Sequence, residues 1–491
     1  MSDALDIQPN QNSQQMGNVP TKDAPAKSKD SLAEGETLPV KEKAAYGLGS
    51  FCNQFGEAGI NSLATPVYNI SLGLSPAIIG IVMGAMRFWD AISDPIMGTI
   101  SDNWKGKNGR RRPFILIGAL LMAFSFPLLW FASPSWADSA KTIYFVCACI
   151  FFFTTYTIFS VPFRALGTEL TADYKERTAV SIYSAYMNKF FQIGVVWILP
   201  LSQMDFFGDP VTGIRAVTGA CSVLILIAGF SVYKYTQERY YKVAKKQEKV
   251  NLFKSFKEFS KDRCFITLHS LGLGLLCSTA LLGALGLYVN LFYVWGGDLK
   301  AGYKYAAIGG NITQFLGFFF LWALKRYWMN IEKKKILTVC VLFGLSGSAA
   351  KWFLFTPENP YLTLIIPIFF APAYTGLWAI FMSMLADYTD YDEHKNGNRR
   401  EGIFGAVSGW VMKAGASLSI ALSGILLTMT NFDKDLGGTQ TESTFLAMRL
   451  LFIILPAACF ILTYIMIQIY PLTKEKMTEI RNELEIRRGK V

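Results

Sequence analysis

The chain has 491 residues, of which 52% are hydrophobic, 14% aromatic and only 17% charged, with a formal net charge of +11. That composition is too apolar for a water-soluble chain to hide in its core, so a soluble globular protein is excluded and a bilayer is the solvent it suits. A helix crosses the hydrocarbon with roughly 20 apolar residues, and such runs recur from about residue 44 to about residue 470 with no soluble domain between them.

Residues 1–40 are rich in Ser, Gln, Asn, Pro and Lys and read as a disordered tail. They lack the apolar stretch of a cleavable signal peptide, so the first membrane helix is expected to direct insertion itself. Apolar runs centred near residues 57, 86, 122, 154, 193, 223, 280, 313, 345, 373, 416 and 457 then predict twelve transmembrane helices, an all-α membrane protein. The basic stretch 234–263 divides them six and six, giving six-helix bundles over 41–233 and 264–472, a central loop between them and a tail over 473–491. Two such bundles enclose a central substrate cavity.

Charge orients the chain. Connections after even-numbered spans carry Lys105, Lys107, Arg110, Arg111 and Arg112, then Lys175 and Arg177, then the central loop, then Lys325, Arg326, Lys333, Lys334 and Lys335, then Lys395, Arg399 and Arg400. Connections after odd-numbered spans are sparsely basic, and 69–77 has no charge at all. Basic loops stay inside, so both termini and the central loop are expected in the cytoplasm of an inner-membrane protein. The net charge then reflects topology, with anionic membrane lipids as its partner and no nucleic acid. The eight cysteines lie in or beside apolar runs at no zinc or redox spacing, and His269 and His394 are too scattered for a metal site. No catalytic His/Ser/Cys constellation is present, so an enzyme is not expected.

The second apolar run contains Arg87-Phe-Trp-Asp-Ala-Ile-Ser-Asp-Pro-Ile-Met-Gly98. Placing even one charge at mid-bilayer costs roughly 2.5–3.5 kcal/mol or more, so these residues need a reason to be there. Asp90 and Asp94 are spaced i, i+4 and share a helix face, with the Ser93 hydroxyl beside them. Two carboxylates so placed repel unless a cation lies between them or one takes a proton, and a hard cation such as Na+ takes oxygen ligands. The alternative is that Arg87 or another buried base neutralises one carboxylate and the set only ties helices together.

Asp102 ends this helix before the loop containing Arg110 and Arg111, a candidate gate of ion pairs at the cytoplasmic side. Asp387 and Asp390, ahead of Arg399, form either a second gate or a solvated helix end. Further polar residues fall inside spans: Asn53, Gln54, Glu57 and Asn61; Thr157, Ser160 and Arg164; Asn188, Lys189 and Gln192; and Asn290, Asn311, Gln314, Trp378 and Lys413. Such residues face a water-filled cavity. Lys189 and Lys413, near mid-span, are candidates for substrate binding or coupling, with a buried structural pair as the alternative. Arg164 lies nearer a helix end, within reach of the interface by snorkelling, and Trp378 stands where a sugar ring stacks.

The Arg87–Gly98 run with the following Gly109-Arg-Arg-Arg-Pro-Phe-Ile-Leu, the Tyr46-Gly-Leu-Gly opening the first helix, Asp387-Tyr-Thr-Asp-Tyr-Asp-Glu and the Lys413 helix together resemble the glycoside-pentoside-hexuronide:cation symporter family over about residues 41 to 475. The resemblance implies a major facilitator fold that moves a sugar or glycoside together with Na+, Li+ or H+ by alternating access, with no other cofactor and as a monomer. It implies a cation site of Asp90, Ser93, Asp94 and Thr157, with Asp90 and Asp94 as the Na+ ligands if sodium is the ion. The family's sugar-site positions fall on Asn53, Gln54, Ser160, Arg164, Lys189, Trp378 and Lys413, with Glu57 one turn from Asn53. Two carboxylates of the family pattern are absent there, while Lys189, Lys413 and Arg164 make the cavity more positive. That suits an anionic sugar such as a uronide or sulfated glycoside. A lipid or lysolipid carrier of the same fold is the alternative within transport, opposed by the polar residues of the first, fourth and fifth spans; a non-transporting membrane sensor is the alternative outside it.

Overall fold

A backbone in hydrocarbon must hydrogen-bond within itself, so the apolar runs fold as helices. The computed structural model describes residues 37–106, 109–171, 174–238, 252–328, 331–397 and 400–487, and no strand occurs among them. The first span, α1, joins Val40–Gln54 and Ile60–Thr65 through π-helical turns at Phe55–Gly59 and Pro66–Ser71. It is followed by α2 (Pro76–Asn103), α3 (Arg112–Leu128), α4 (Asp138–Glu169), α5 (Tyr174–Val195) and α6 (Pro210–Tyr235). A short surface helix, Leu252–Phe259, leads into α7 (Arg263–Tyr288, continued by the π-helical Val289–Val294), α8 (Leu299–Tyr327), α9 (Lys333–Leu354), α10 (Pro367–Asn396), α11 (Glu401–Met429) and α12 (Glu442–Ile469).

Nine of these helices are long and apolar enough to cross a membrane, and Arg112–Leu128 is apolar but shorter. The two that fall short are α1 and α5. The first is interrupted by π turns and carries Lys41, Glu42, Lys43 and Glu57; the second carries Lys175, Glu176, Arg177 and Lys189. Helices facing a polar cavity need not be apolar on every side.

Two hydrophobic cores form, one from residues between Leu38 and Val232 and the other from residues between Phe259 and Leu484. The second core includes Met477, Ile480 and Leu484 of a terminal helix, α13 (Lys474–Arg487). Residues that read by composition as a charged tail thus include a docked helix, because those three apolar residues repeat at helical spacing and fall on one face.

The halves meet through α2 and α11 at the end of the molecule holding the 72–75 turn. A Cβ on Gly424 would stand 2.3 Å from the Pro76 carbonyl oxygen, and one on Gly84 would stand 2.8 Å from that of Ser417. Small residues let the two backbones touch. Ser417 donates to the Gly84 carbonyl at 2.8 Å, the Ala77 N–H donates to Thr428 at 3.0 Å, and the buried Tyr288 hydroxyl donates to Asn69 at 2.5 Å. At the opposite end of α11, added Cβ atoms on Gly405 and Gly409 would meet nothing within 4 Å among the described residues. The halves are therefore packed closely together at the end holding the 72–75 turn. Gly424→Leu is expected to wedge that end apart; overpacking of about 1–3 kcal/mol shifts a two-conformer balance about 5- to 150-fold. Uptake should fall by a similar factor while gel filtration shows a folded protein, and unchanged uptake would contradict the close crossing.

Candidate functional site

The face of α2 that holds Asp90, Ser93 and Asp94 lies against α4, fixed by a hydrogen bond from the Trp89 indole to Thr154 at 2.9 Å. Thr157 donates to Asp94 Oδ1 at 3.2 Å, and its hydroxyl stands 3.1 Å from that of Ser93. Three of the four residues expected to hold a cation thus touch directly. The other oxygen of Asp94 receives the Lys413 ammonium from α11, in the opposite half, with an Arg164 nitrogen 3.8 Å away. Arg164 also donates to the Ser160 carbonyl at 3.3 Å and to its hydroxyl at 3.1 Å.

Asp90, one turn earlier, is 3% exposed. Its Oδ2 accepts from Arg87 at 3.3 Å, while its Oδ1 is buried with no donor. Arg87 in turn lies 5.7 Å from the Phe153 ring centroid, inside the first half. Each carboxylate therefore has a basic partner of its own, as the alternative reading of Arg87 required, yet one carboxylate oxygen is left unpaired. A buried charged acceptor without a donor is costly. Asp90 Oδ1, Asp94 Oδ1 and the Ser93 and Thr157 hydroxyls are the hard oxygen donors that Na+ or Li+ takes, and the free Oδ1 is equally a place for a proton.

The remaining cavity residues are more dispersed. The Tyr156 hydroxyl donates to Asn53 at 3.4 Å, Gln54 is half-buried beside it, and Glu57 is exposed on the π turn of α1, its carbonyl accepting from Asn61 at 2.5 Å. Lys189 pairs with neither aspartate among the described residues and donates to Gln314 of α8 at 2.8 Å and to Gln192 at 3.4 Å. Trp378 is 41% exposed and packs on Phe381 of its own helix at 5.8 Å, apart from the aspartate cluster.

At the end away from the 72–75 turn, Asp102 meets Arg111 at 3.3 Å and Arg110 at 3.7 Å. Both arginines also share Glu169 at the end of α4, at 2.8 and 2.5 Å. Glu238, after α6, accepts from the backbone N–H groups of Arg110, Arg111 and Arg112 at 2.8 Å each, satisfying donors that a helix start leaves open. In the second half, Asp387 pairs with Lys333 at 2.5 Å and with Arg481 of α13 at 2.8 Å, and Asp390 lies 3.4 Å from the same arginine. Arg399 lies outside the described residues; its neighbour Arg400 pairs with Asp392 at 2.7 Å and with Glu258 at 3.0 Å. Each of these pairs joins elements of one half. Glu169, Glu238, Asp392 and Arg481 escaped the sequence reading because a carboxylate or arginine near a helix end looks like any solvated charge. Glu169→Gln should leave two buried guanidiniums short of charge at about 3–5 kcal/mol. Its midpoint of thermal unfolding should fall by about 5–10 °C, and an unchanged midpoint would show that Asp102 and Glu238 suffice.

The chain resembles known proteins along nearly its whole length. It is 26% identical over 462 residues to an uncharacterized symporter of Bacillus subtilis (strain 168), covering 92% of this chain and 96% of the relative. It is 23% identical over 473 residues to the isoprimeverose transporter of Lactiplantibacillus pentosus, covering 92% of each. Among solved structures, one from a study of proton dependent oligopeptide transporters superposes with a TM-score of 0.64 at 14% identity, over 90% of this chain and 99% of that one. That likeness speaks for the fold: helices only, in two bundles around a polar seam. The family model described as MFS/sugar transport protein matches residues 45–474, and with the two-bundle fold and the charged seam in place, the chain belongs to that family of membrane transporters.

Proposed function

We propose that this transporter is a cation-coupled sugar or glycoside symporter of a cell inner membrane. The observation that carries the reading is Asp90 Oδ1, buried without a donor one turn from the Asp94–Ser93–Thr157 cluster. Na+, Li+ or H+ arriving at that oxygen supplies the partner that the fold itself does not. The excess of Lys and Arg at the end away from the 72–75 turn supports a cytoplasmic side for that end, both termini and the central loop, beside anionic lipid.

Lys413 bonds Asp94 from the opposite half, so the cation site lies on the seam that opens and closes during alternating access. A cation that displaces the lysine changes how α2 and α11 are held together, and coupling to the sugar follows as mutual tightening of the two ligands. The ion-pair networks within each half hold each bundle rigid while it rocks. The protein acts as a monomer, with the whole path enclosed between its own halves. The test is uptake into proteoliposomes of a panel of neutral and acidic glycosides under Na+, Li+ and H+ gradients. Accumulation of a glycoside under one of these gradients is the expected result; no accumulation under any gradient would overturn the reading.

A further inference from the structure

The two halves reach across to one another through lysines in equivalent places. Lys413 lies in α11, the fifth helix of the second half, and ends on Asp94 in α2, the second helix of the first. Lys189 lies in α5, the fifth helix of the first half, and ends on Gln314 in α8, the second helix of the second, at 2.8 Å. Each lysine has an aromatic residue three positions before it, Tyr186 and Trp410. The fold thus repeats one cross-link with the halves exchanged, as expected of bundles related by a pseudo-two-fold axis. The two links differ in charge. Lys413 reaches a carboxylate, whereas Lys189 reaches the amide oxygens of Gln314 and Gln192 and the Phe318 ring, whose centroid lies 6.0 Å away.

Among the described residues no carboxylate pairs with Lys189, so a partly buried ammonium is left with neutral partners where a charged one belongs. One turn before Gln314, on the same face of α8, Asn311 holds a buried oxygen with no donor. A cation short of an anion and an acceptor short of a donor therefore lie one helical turn apart. An acidic sugar carries both missing groups.

We propose that Gln314 is a placeholder for the substrate, and that the carboxylate or sulfo group of an acidic glycoside replaces its amide at Lys189 while a sugar hydroxyl donates to Asn311. This names the substrate class of the symport reading above and rests on it. Gln314 is then the specificity residue: it keeps Lys189 hydrogen-bonded when the site is empty and yields to a stronger, charged acceptor. The anion joins the first half to the second, so binding itself favours closure around the substrate.

The experiment compares p-nitrophenyl glucuronide with p-nitrophenyl glucoside, identical but for one carboxylate, in cation-driven uptake by the wild type, Gln314→Glu, Lys189→Gln and Lys189→Arg. The wild type should favour the glucuronide at least about tenfold in KM. Gln314→Glu, which supplies an internal carboxylate like that facing Lys413, should erase the preference by raising the glucuronide KM. Lys189→Gln should erase it as well, and Lys189→Arg should retain it. The readout is the ratio of the two KM values, which general damage to the fold does not move selectively. Uptake of neither sugar under any ion gradient overturns the symport reading and this one with it. Cation-driven uptake blind to the carboxylate, or a Gln314→Glu variant with an unchanged KM ratio, overturns this one alone.

Discussion

Asp94→Asn is expected to lower cation-driven uptake at least about a hundredfold. Asp94 is where two other helices converge: Thr157 of α4 donates to one oxygen at 3.2 Å, Lys413 of α11 bonds the other, and Arg164, also of α4, stands 3.8 Å off. Asparagine keeps the shape and one acceptor but loses the charge. Two basic groups are then left facing an amide in a region partly shielded from water, and removing one member of such a pair costs about 3–5 kcal/mol, or two to nearly four powers of ten. A cation seeking the same oxygens meets an excess of positive charge. Thr157→Ala, which removes a neutral hydroxyl, should cost only about 0.5–1.5 kcal/mol and reduce uptake several-fold. The pair is read by ion-gradient uptake alongside gel filtration of the purified protein. Cation stimulation in Asp94→Asn within about twofold of wild type, well inside the effect of a lost neutral hydrogen bond, would remove Asp94 from the coupling site.

Lys413→Gln carries the second large effect, and its sign is unusual: cation affinity should rise about tenfold while uptake slows. An ammonium on the Asp94 oxygen competes with any incoming cation, by attraction lost and by repulsion between like charges. Glutamine removes the competitor but also the link from α11 to α2, so the bundles lose a contact that differs between ion-bound and ion-free states. The measurement is the concentration of Na+, Li+ or H+ that half-maximally enhances sugar binding. If Lys413 only ties the halves together, that concentration stays the same or increases.

Much of this site was visible in the chain because charge inside an apolar run is conspicuous. Asp90 and Asp94 announced themselves by their i, i+4 spacing, and Lys189 and Lys413 by lying near mid-span in membrane helices. What spacing does not carry is who meets whom. Asp94 and Lys413 are 319 positions apart, and only the crossing of α2 over α11 at Gly84, Ser417 and Gly424 brings them together. The mirror link from Lys189 to Gln314 was hidden for the same reason, and because a glutamine looks neutral until a lysine is seen against it. Nine helices long and apolar enough to cross a membrane followed from apolar runs, but α1 and α5 mark where hydropathy weakens, because charged residues fall within both. The π turns of α1 leave no such trace in composition. At the helix ends spacing is equally silent: Arg400 meets Glu258, 142 positions away.

The central claim is that the Asp90–Asp94 face couples a cation to the sugar. Its most direct test is equilibrium sugar binding, measured across Na+, Li+ and H+ concentrations for the wild type, Asp90→Asn and Asp94→Asn. Sugar affinity in the wild type should tighten with at least one of the three ions, and that dependence should vanish in both variants. Affinity indifferent to all three ions in the wild type, or an undiminished dependence in both variants, would contradict the account.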